Sequence, residues 1–298
     1  MDLWVVITLA ASAVQTLRFM LQKRLKSVGL STGGATYARF VFAAPLAMAA
    51  LAALMLARGD GLPALPPAFW IWAMAGGLAQ IVATFATVAL FSARSFAVGI
   101  AFTKTEVLLV AALSALLLSE PVSRDGLLAI AIGTVGVLFL SRPAGGWLAK
   151  GADHRALMLG LLAGGLFGLS AIGYRAATLQ VDHPQALFRA LVALVAATGF
   201  QTLVMTLWLS MAEPGQLRRT ARHWRAVLPV GVTGVLGSLG WFTAFALQNA
   251  AYVRSLGQVE LLFSILASVI VFRERLRLIE LLGMALLAGS VVMIIWRI

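Results

Sequence analysis

Ten runs of apolar residues recur along the chain, at approximately 3–22, 33–57, 67–91, 96–118, 125–141, 156–175, 185–210, 226–249, 255–272 and 278–296. Crossing the hydrocarbon core of a bilayer takes roughly 20 residues of helix, so each run is of spanning length or close to it. Polar and turn-forming residues interrupt the runs. Examples are Arg58-Gly59-Asp60-Gly61, Glu120-Pro121, the stretch from Ser141 to Arg155, Asp182-His183-Pro184, Glu213-Pro214-Gly215 and Arg273-Glu274-Arg275. The pattern predicts continuous helices, because an unpaired backbone group is too costly in lipid. The alternating segments of about ten residues that mark a transmembrane β-barrel are absent. The first run has no basic leader and is of full length, so it reads as a span and not as a cleavable signal.

The second half of the chain echoes the first. ALFSARSFAVGIAFTKTEVLLVAALSALLLSE, from Ala89, matches ALQNAAYVRSLGQVELLFSILASVIVFRE, from Ala246. Glu106 aligns with Glu260 and Glu120 with Glu274 at one offset. With a three-residue gap, Ala93 aligns with Ala250. Gly77, Phe85 and Ala89 align with Gly234, Phe242 and Ala246, and more weakly Arg39 aligns with Arg189. The expected organisation is a first five-helix repeat over 1–141, a connecting loop over 142–155 and a second five-helix repeat over 156–298. An odd helix count per repeat inverts the second copy in the membrane. Inverted repeats are typical of secondary transporters, which hold substrate where the halves meet. The fold class expected is therefore an all-α membrane protein of ten helices in two inverted repeats.

Composition agrees. Apolar residues make up 61% and charged residues 11%, with a mean hydropathy of +0.96, against about a quarter charged in a soluble domain. Too few charges are present to cover a water-facing surface. The net charge of +12 sits in short basic runs between apolar segments, which is a topology signal and not a nucleic-acid footprint. With no cysteine, disulfides and thiolate metal sites are excluded.

The motif Glu-x13-Glu occurs twice, as Glu106/Glu120 and Glu260/Glu274, in a ten-segment chain of 298 residues. In this the whole chain resembles the drug/metabolite transporter superfamily, and within it the EamA-type bacterial exporters. In that family the first Glu is commonly followed by Pro; here Val107 and Leu261 stand there. The resemblance implies a multi-pass protein of the bacterial inner membrane that exports amino acids or similar metabolites.

Basic residues in the connections predict orientation. The loops after odd-numbered segments hold 14 Lys/Arg, and the even loops and tails hold five. The positive-inside rule then puts both termini outside the cytoplasm, opposite to the usual drawing of the superfamily.

Six charges fall within the expected spans away from their extreme ends: Arg18, Arg39, Lys104, Arg189, Glu106 and Glu260. A charge at the bilayer centre costs at least about 2.5–3.5 kcal/mol on insertion scales, so each is expected to face a wet cavity or a partner. Glu106, Glu260, Arg39 and Arg189 are candidate coupling or structural charges, Arg39 and Arg189 through snorkelling to the interface. Lys104 aligns with Gln258, has no charged counterpart, and is a candidate substrate ligand.

Polar stripes at helical spacing extend the candidates. They are Thr8, Ser12, Gln15, Phe19 and Gln22 in the first segment; Gln80, Thr84, Thr87 and Phe91 in the third; and Ser238, Trp241, Phe245 and Gln248 in the eighth. The substrate-binding set expected is Gln15, Gln80, Thr84, Lys104, Trp241, Phe245 and Gln248. Amide and hydroxyl groups among rings suit an amphipathic solute, although such residues also join helices by hydrogen bonds. Gly231, Gly234, Gly237 and Gly240 favour close packing or a bending eighth helix. Glu120 and Glu274 read as structural residues at helix ends.

The function expected is secondary transport: export of amino acids, aromatic or otherwise apolar, or of similar small metabolites, by alternating access through a central cavity. The alternative is a multidrug exporter of organic cations, which four intramembrane cations and the lack of an acid in segments one and six disfavour. Catalysis has no evident seat: the three histidines lie in loops, and neither a Ser-x-x-Lys motif nor paired intramembrane aspartates appear. No cofactor and no metal are expected. The partners expected are the small-molecule substrate and the lipid bilayer, without nucleic acid, in a monomer or weak homo-oligomer.

Overall fold

The computed structural model describes residues 2–90, 103, 106–140, 154–263 and 278–297. All regular structure among them is helical. The helices are α1 (Leu3–Arg24), α2 (Thr32–Tyr37), α3 (Ala43–Arg58), α4 (Pro67–Leu90), α5 (Glu106–Leu118), α6 (Arg124–Leu140), α7 (His154–Leu179), α8 (Ala186–Ala212), α9 (Pro214–Arg222), α10 (Trp224–Leu247), α11 (Ala250–Gly257) and α12 (Leu278–Arg297). Among the described residues, six stretches are long and apolar enough to cross a membrane: Leu3–Val28, Pro67–Leu90, Met158–Leu179, Ala186–Ala212, Trp224–Leu247 and Leu278–Trp296. Ala43–Arg58 and Glu106–Leu118 are shorter apolar helices. Large apolar side chains such as Leu56, Leu116 and Trp296 are exposed on the outside, which fits a surface solvated by lipid.

The segment expected as one helix over 33–57 is broken. α2 ends at Tyr37, and residues 38–42 form a tight turn in which Phe40 N donates to Tyr37 O (2.8 Å) and Ala43 N to Phe40 O (2.9 Å). Pro45 gives the reason. It has no N–H to donate to the carbonyl of residue 41, and its ring crowds that carbonyl, so a continuous helix through 41–45 is disfavoured. At the third position of α3 that missing donor costs nothing. The ninth segment also starts earlier than the apolar run. Gln248 is extended, and the Asn249 side chain caps α11 by accepting from Ala251 N at 2.8 Å; an asparagine in that role fixes a helix start. Helix α9 lies where the apolar pattern showed only a basic connection, and its Arg219 donates to Gly29 O at 2.6 Å.

The most extensive packing joins α4 to α7, α6 to α12 and α1 to α10. In lipid, helices gain little from hydrophobic burial, and close van der Waals contact between small residues replaces it. Gly173 of α7 lies against Gly76 of α4, where an added Cβ would come within 2.9 Å of Gly76 Cα and of Trp72 O. Gly136 and Gly283 face each other across α6 and α12. Gly240 of α10 packs on Ala11 of α1, and Gly231 on Phe42. The glycine run in α10 thus serves helix contact with α1 and the 38–42 turn.

Candidate functional site

A cavity of about 420 Å³ opens between α1, the 38–42 turn, α4, α5, α7, α10 and α11. Gln15, Phe19, Arg39, Gln80, Thr87, Glu106, Phe167, Ser170, Tyr174, Ser238, Trp241, Phe242, Phe245, Arg254 and Glu260 are among its lining residues.

Two polar networks organise it. In one, Gln15 bridges α1 to the second half: its Nε2 donates to Glu260 Oε2 at 2.7 Å, and its Oε1 accepts from Trp241 Nε1 at 3.0 Å. Arg254 lies over the Trp241 ring, 4.6 Å from its centroid, and its Nη2 donates to Glu106 Oε1. Both charges of that pair are almost fully enclosed, with 12% and 4% side-chain exposure. An enclosed ion pair holds geometry well even where it adds little net stability. In the other network, Tyr174 donates to Gln80 Oε1 at 3.0 Å, while Gln201 Nε2 donates to Gly77 O, Gln80 Oε1 and Tyr174 OH, each at 3.0 Å. The amide of Gln80 is therefore held by two partners. Tyr174 also packs on Phe242 at 4.1 Å between centroids, and Trp241 on Phe245 at 6.2 Å. The walls are ringed by aromatics, with amides and charges at defined points, which is the make-up of a site for a molecule with an apolar body and polar ends.

The residues expected to bind substrate separate as follows. Gln15, Gln80, Trp241 and Phe245 line the cavity. Thr84 is buried behind it, accepting from Arg39 Nη1 at 2.9 Å. Gln248 sits at the α10–α11 link, where its Oε1 accepts from Asn249 N at 2.8 Å; the early start of α11 takes it off the polar stripe of α10. Lys104 lies outside the described residues. Of the coupling or structural candidates, Glu106, Glu260 and Arg39 line the cavity. Arg189 instead donates to Ala246 O at 3.0 Å, in keeping with a structural role at a helix end. Arg39 does not reach an interface: it is 4% exposed, because the break at 38–42 sets it inside the bundle.

Sequence reasoning missed Tyr174, Phe242, Arg254 and Gln201. Arg254 falls just outside the ninth apolar run, which begins at 255, whereas helix α11 begins at Ala250. Tyr174 is one of three tyrosines, and its place beside Arg175 at the end of an apolar run was the available signal. A second arginine–glutamate pair, Arg175 with Glu120 at 2.6 Å, lies just past the end of α5, and Arg175 Nη1 also donates to Phe245 O. Glu120 is thus structural. Among the described residues no group of three or more His, Asp or Glu is arranged to hold a metal ion.

The family model of the EamA-like transporter family matches residues 154–296. No curated protein matches the chain. Among solved structures, the crystal structure of one protein superposes with a TM-score of 0.69, covering 97% of this chain and 99% of that chain at 18% identity. The two chains therefore share a fold. The family match supports the drug/metabolite transporter superfamily and, with the apolar helices, a multi-pass membrane transporter of small substrates.

Proposed function

We propose that this protein exports amino acids, aromatic or otherwise apolar, or closely similar metabolites, by alternating access through the cavity described above, in the manner of the aromatic amino acid exporter YddG. One observation carries the reading: a partly open cavity is lined by α1, α4 and α5 of the first half and α7, α10 and α11 of the second, with rings, amides and charges among its lining residues. Ten spans in two inverted repeats, 1–141 and 156–298, supply the machinery. The packing is consistent with that symmetry. α4 on α7 corresponds to α10 on α1 when each helix is replaced by its repeat partner, and α6 on α12 corresponds to itself. Two halves that can rock about such a seam expose the site to each side in turn. The bacterial inner membrane is the setting that the exporter resemblance implies, and the charge bias supports both termini outside the cytoplasm.

Glu106 and Glu260 are the candidate proton acceptors. Protonating Glu106 would release Arg254 and so loosen the contact between α5 and α11, coupling a proton to the conformational change. The competing reading, an organic-cation exporter, draws on the same two carboxylates in the cavity wall. Reconstituted vesicles separate the readings: flux of labelled amino acids and of cationic drugs, with and without a pH gradient. Amino-acid flux is expected. Flux of cations alone would replace this reading with its competitor. Glu106→Gln is expected to abolish the pH dependence and leave downhill exchange; unchanged pH dependence would remove Glu106 from coupling.

A further inference from the structure

We infer that Arg39, with Arg18 buried beside it, is the seat for a carboxylate of the transported molecule; the inference rests on the transport reading above. The bundle buries several arginines, and most have an evident partner. Arg254 is paired with Glu106 and Arg175 with Glu120. Arg189 donates to a carbonyl. Arg39 and Arg18 differ. Arg39 lines the cavity, and its hydrogen bond goes to the neutral hydroxyl of Thr84. Arg18 of α1 is 2% exposed; its Nη1 donates to the neutral amide of Gln22 at 2.9 Å, and its Nη2 has no hydrogen-bond partner. Neither forms an ion pair with a carboxylate among the described residues.

The two side chains are neighbours. A Cβ on Gly234 of α10 would meet Arg39 O at 3.0 Å, Arg39 Cγ at 3.5 Å and Arg18 Cδ at 3.8 Å. Both arginines thus pack against one glycine. Two enclosed guanidinium groups side by side repel each other and have lost much of their hydration, a cost of several kcal/mol per ion when no counter-charge is supplied. Structural arginines avoid this by pairing, as the other two do. A pair without an acid partner among the described residues, at the wall of a solute-sized cavity, is arranged to receive an anion from that cavity.

The chemistry of that anion follows. A guanidinium presents a planar fork of donors that matches a carboxylate. Arg39 offers this fork at the cavity wall, and Arg18 adds positive potential from behind. The same cavity holds the Tyr174–Phe242 and Trp241–Phe245 ring pairs, which suit an apolar or aromatic body. The ligand class is therefore an organic carboxylate with an apolar tail. Arg39 can be held at this depth because Pro45 breaks the helix just beyond it and Thr84 steadies its Nη1.

The test compares ligands that differ in one group: phenylalanine, 3-phenylpropionate (no amine) and phenethylamine (no carboxylate), each competing with labelled substrate in vesicles holding the wild-type protein. Phenethylamine is expected to compete at least about tenfold more weakly than phenylalanine, the scale of one lost hydrogen bond to a charged group, with 3-phenylpropionate between them. Arg39→Gln is expected to abolish the difference between phenylalanine and phenethylamine, and Arg39→Lys to restore part of it. Equal competition by phenylalanine and phenethylamine in the wild type would overturn the inference even if the variants fail to fold. So would an unchanged ratio in a folded Arg39→Gln protein. Amino-acid flux that persists beside either result leaves the transport reading standing, whereas flux of cations alone, with no competition from either carboxylate, would overturn both.

Discussion

The guanidinium of Arg254 rests 4.6 Å above the centre of the Trp241 ring while donating to Glu106. One side chain thus joins α10, α11 and α5 at the wall of the cavity. Stacking on indole and pairing with a carboxylate are both available to arginine and not equally to lysine.

Breaking that pair from one side leaves the other charge enclosed. Glu106→Gln and Arg254→Met are each expected to lower stability by about 3–5 kcal/mol. The double variant is expected to recover part of the loss, because no bare charge remains. Thermal unfolding of the detergent-solubilised protein, run as a double-mutant cycle, checks this; additive losses would show that the two residues do not act together.

The glycines of α10 are not equivalent. A methyl at Gly240 would sit 2.8 Å from Ala11 Cβ, whereas at Gly237 the nearest atom is Val14 Cγ1 at 3.6 Å. Gly240→Ala is expected to push α10 off α1 and cost about 1–3 kcal/mol, as overpacking does. Gly237→Ala fits, and removes the helix penalty of glycine, about 1 kcal/mol. Equal stability of the two variants would contradict the packing of α10 on α1. Normal transport by Gly237→Ala would also rule out bending at that position.

Tyr174→Phe deletes the hydroxyl that holds Gln80 and receives Gln201. Gln201 keeps its bonds to Gly77 O and Gln80, so the stability loss is expected to be only about 1 kcal/mol. The Gln80 amide loses one of its two restraints, and KM is expected to rise more than kcat falls. Vesicle transport kinetics measure the split; a fall in kcat alone would place Tyr174 outside substrate binding.

Of the two arginine–glutamate pairs among the described residues, Arg175–Glu120 is the less enclosed, at 11% and 23% side-chain exposure. Glu120→Gln is therefore expected to destabilise less than Glu106→Gln, because the partly solvated Glu120 is already screened in the pair and Arg175 keeps its hydrogen bond to Phe245 O. The same unfolding series reports the order, and a reversed order would mean that enclosure does not set the cost.

Much of the site could be read along the chain. Gln15, Gln80, Trp241 and Phe245 fall on polar stripes with helical spacing, and such stripes in an apolar helix have few places to go except an interior cavity. Glu106 and Glu260 were visible because charge within an apolar run is rare. Arg254 and Tyr174 were not visible: they lie near the ends of apolar runs, where hydropathy cannot tell a loop residue from one folded back over the site. Thr84 fits its stripe, yet Arg39 occupies the space in front of it. That relation depends on the turn at 38–42 and on no local pattern.

By itself, the sequence determined the solvent of this protein and its helical character, because 61% apolar residues with 11% charged ones have one stable environment, and lipid demands internally satisfied backbone. It also set the helix breaks that rest on local chemistry, such as Pro45 and Asn249. Only the tertiary structure decided which charges neutralise each other and which are left facing the cavity. Arg254 finds Glu106 across 148 positions of chain, and Arg18 meets Arg39 through a glycine on α10. Those pairings follow from how closely the helices cross, a property of two surfaces in contact that neither segment carries alone.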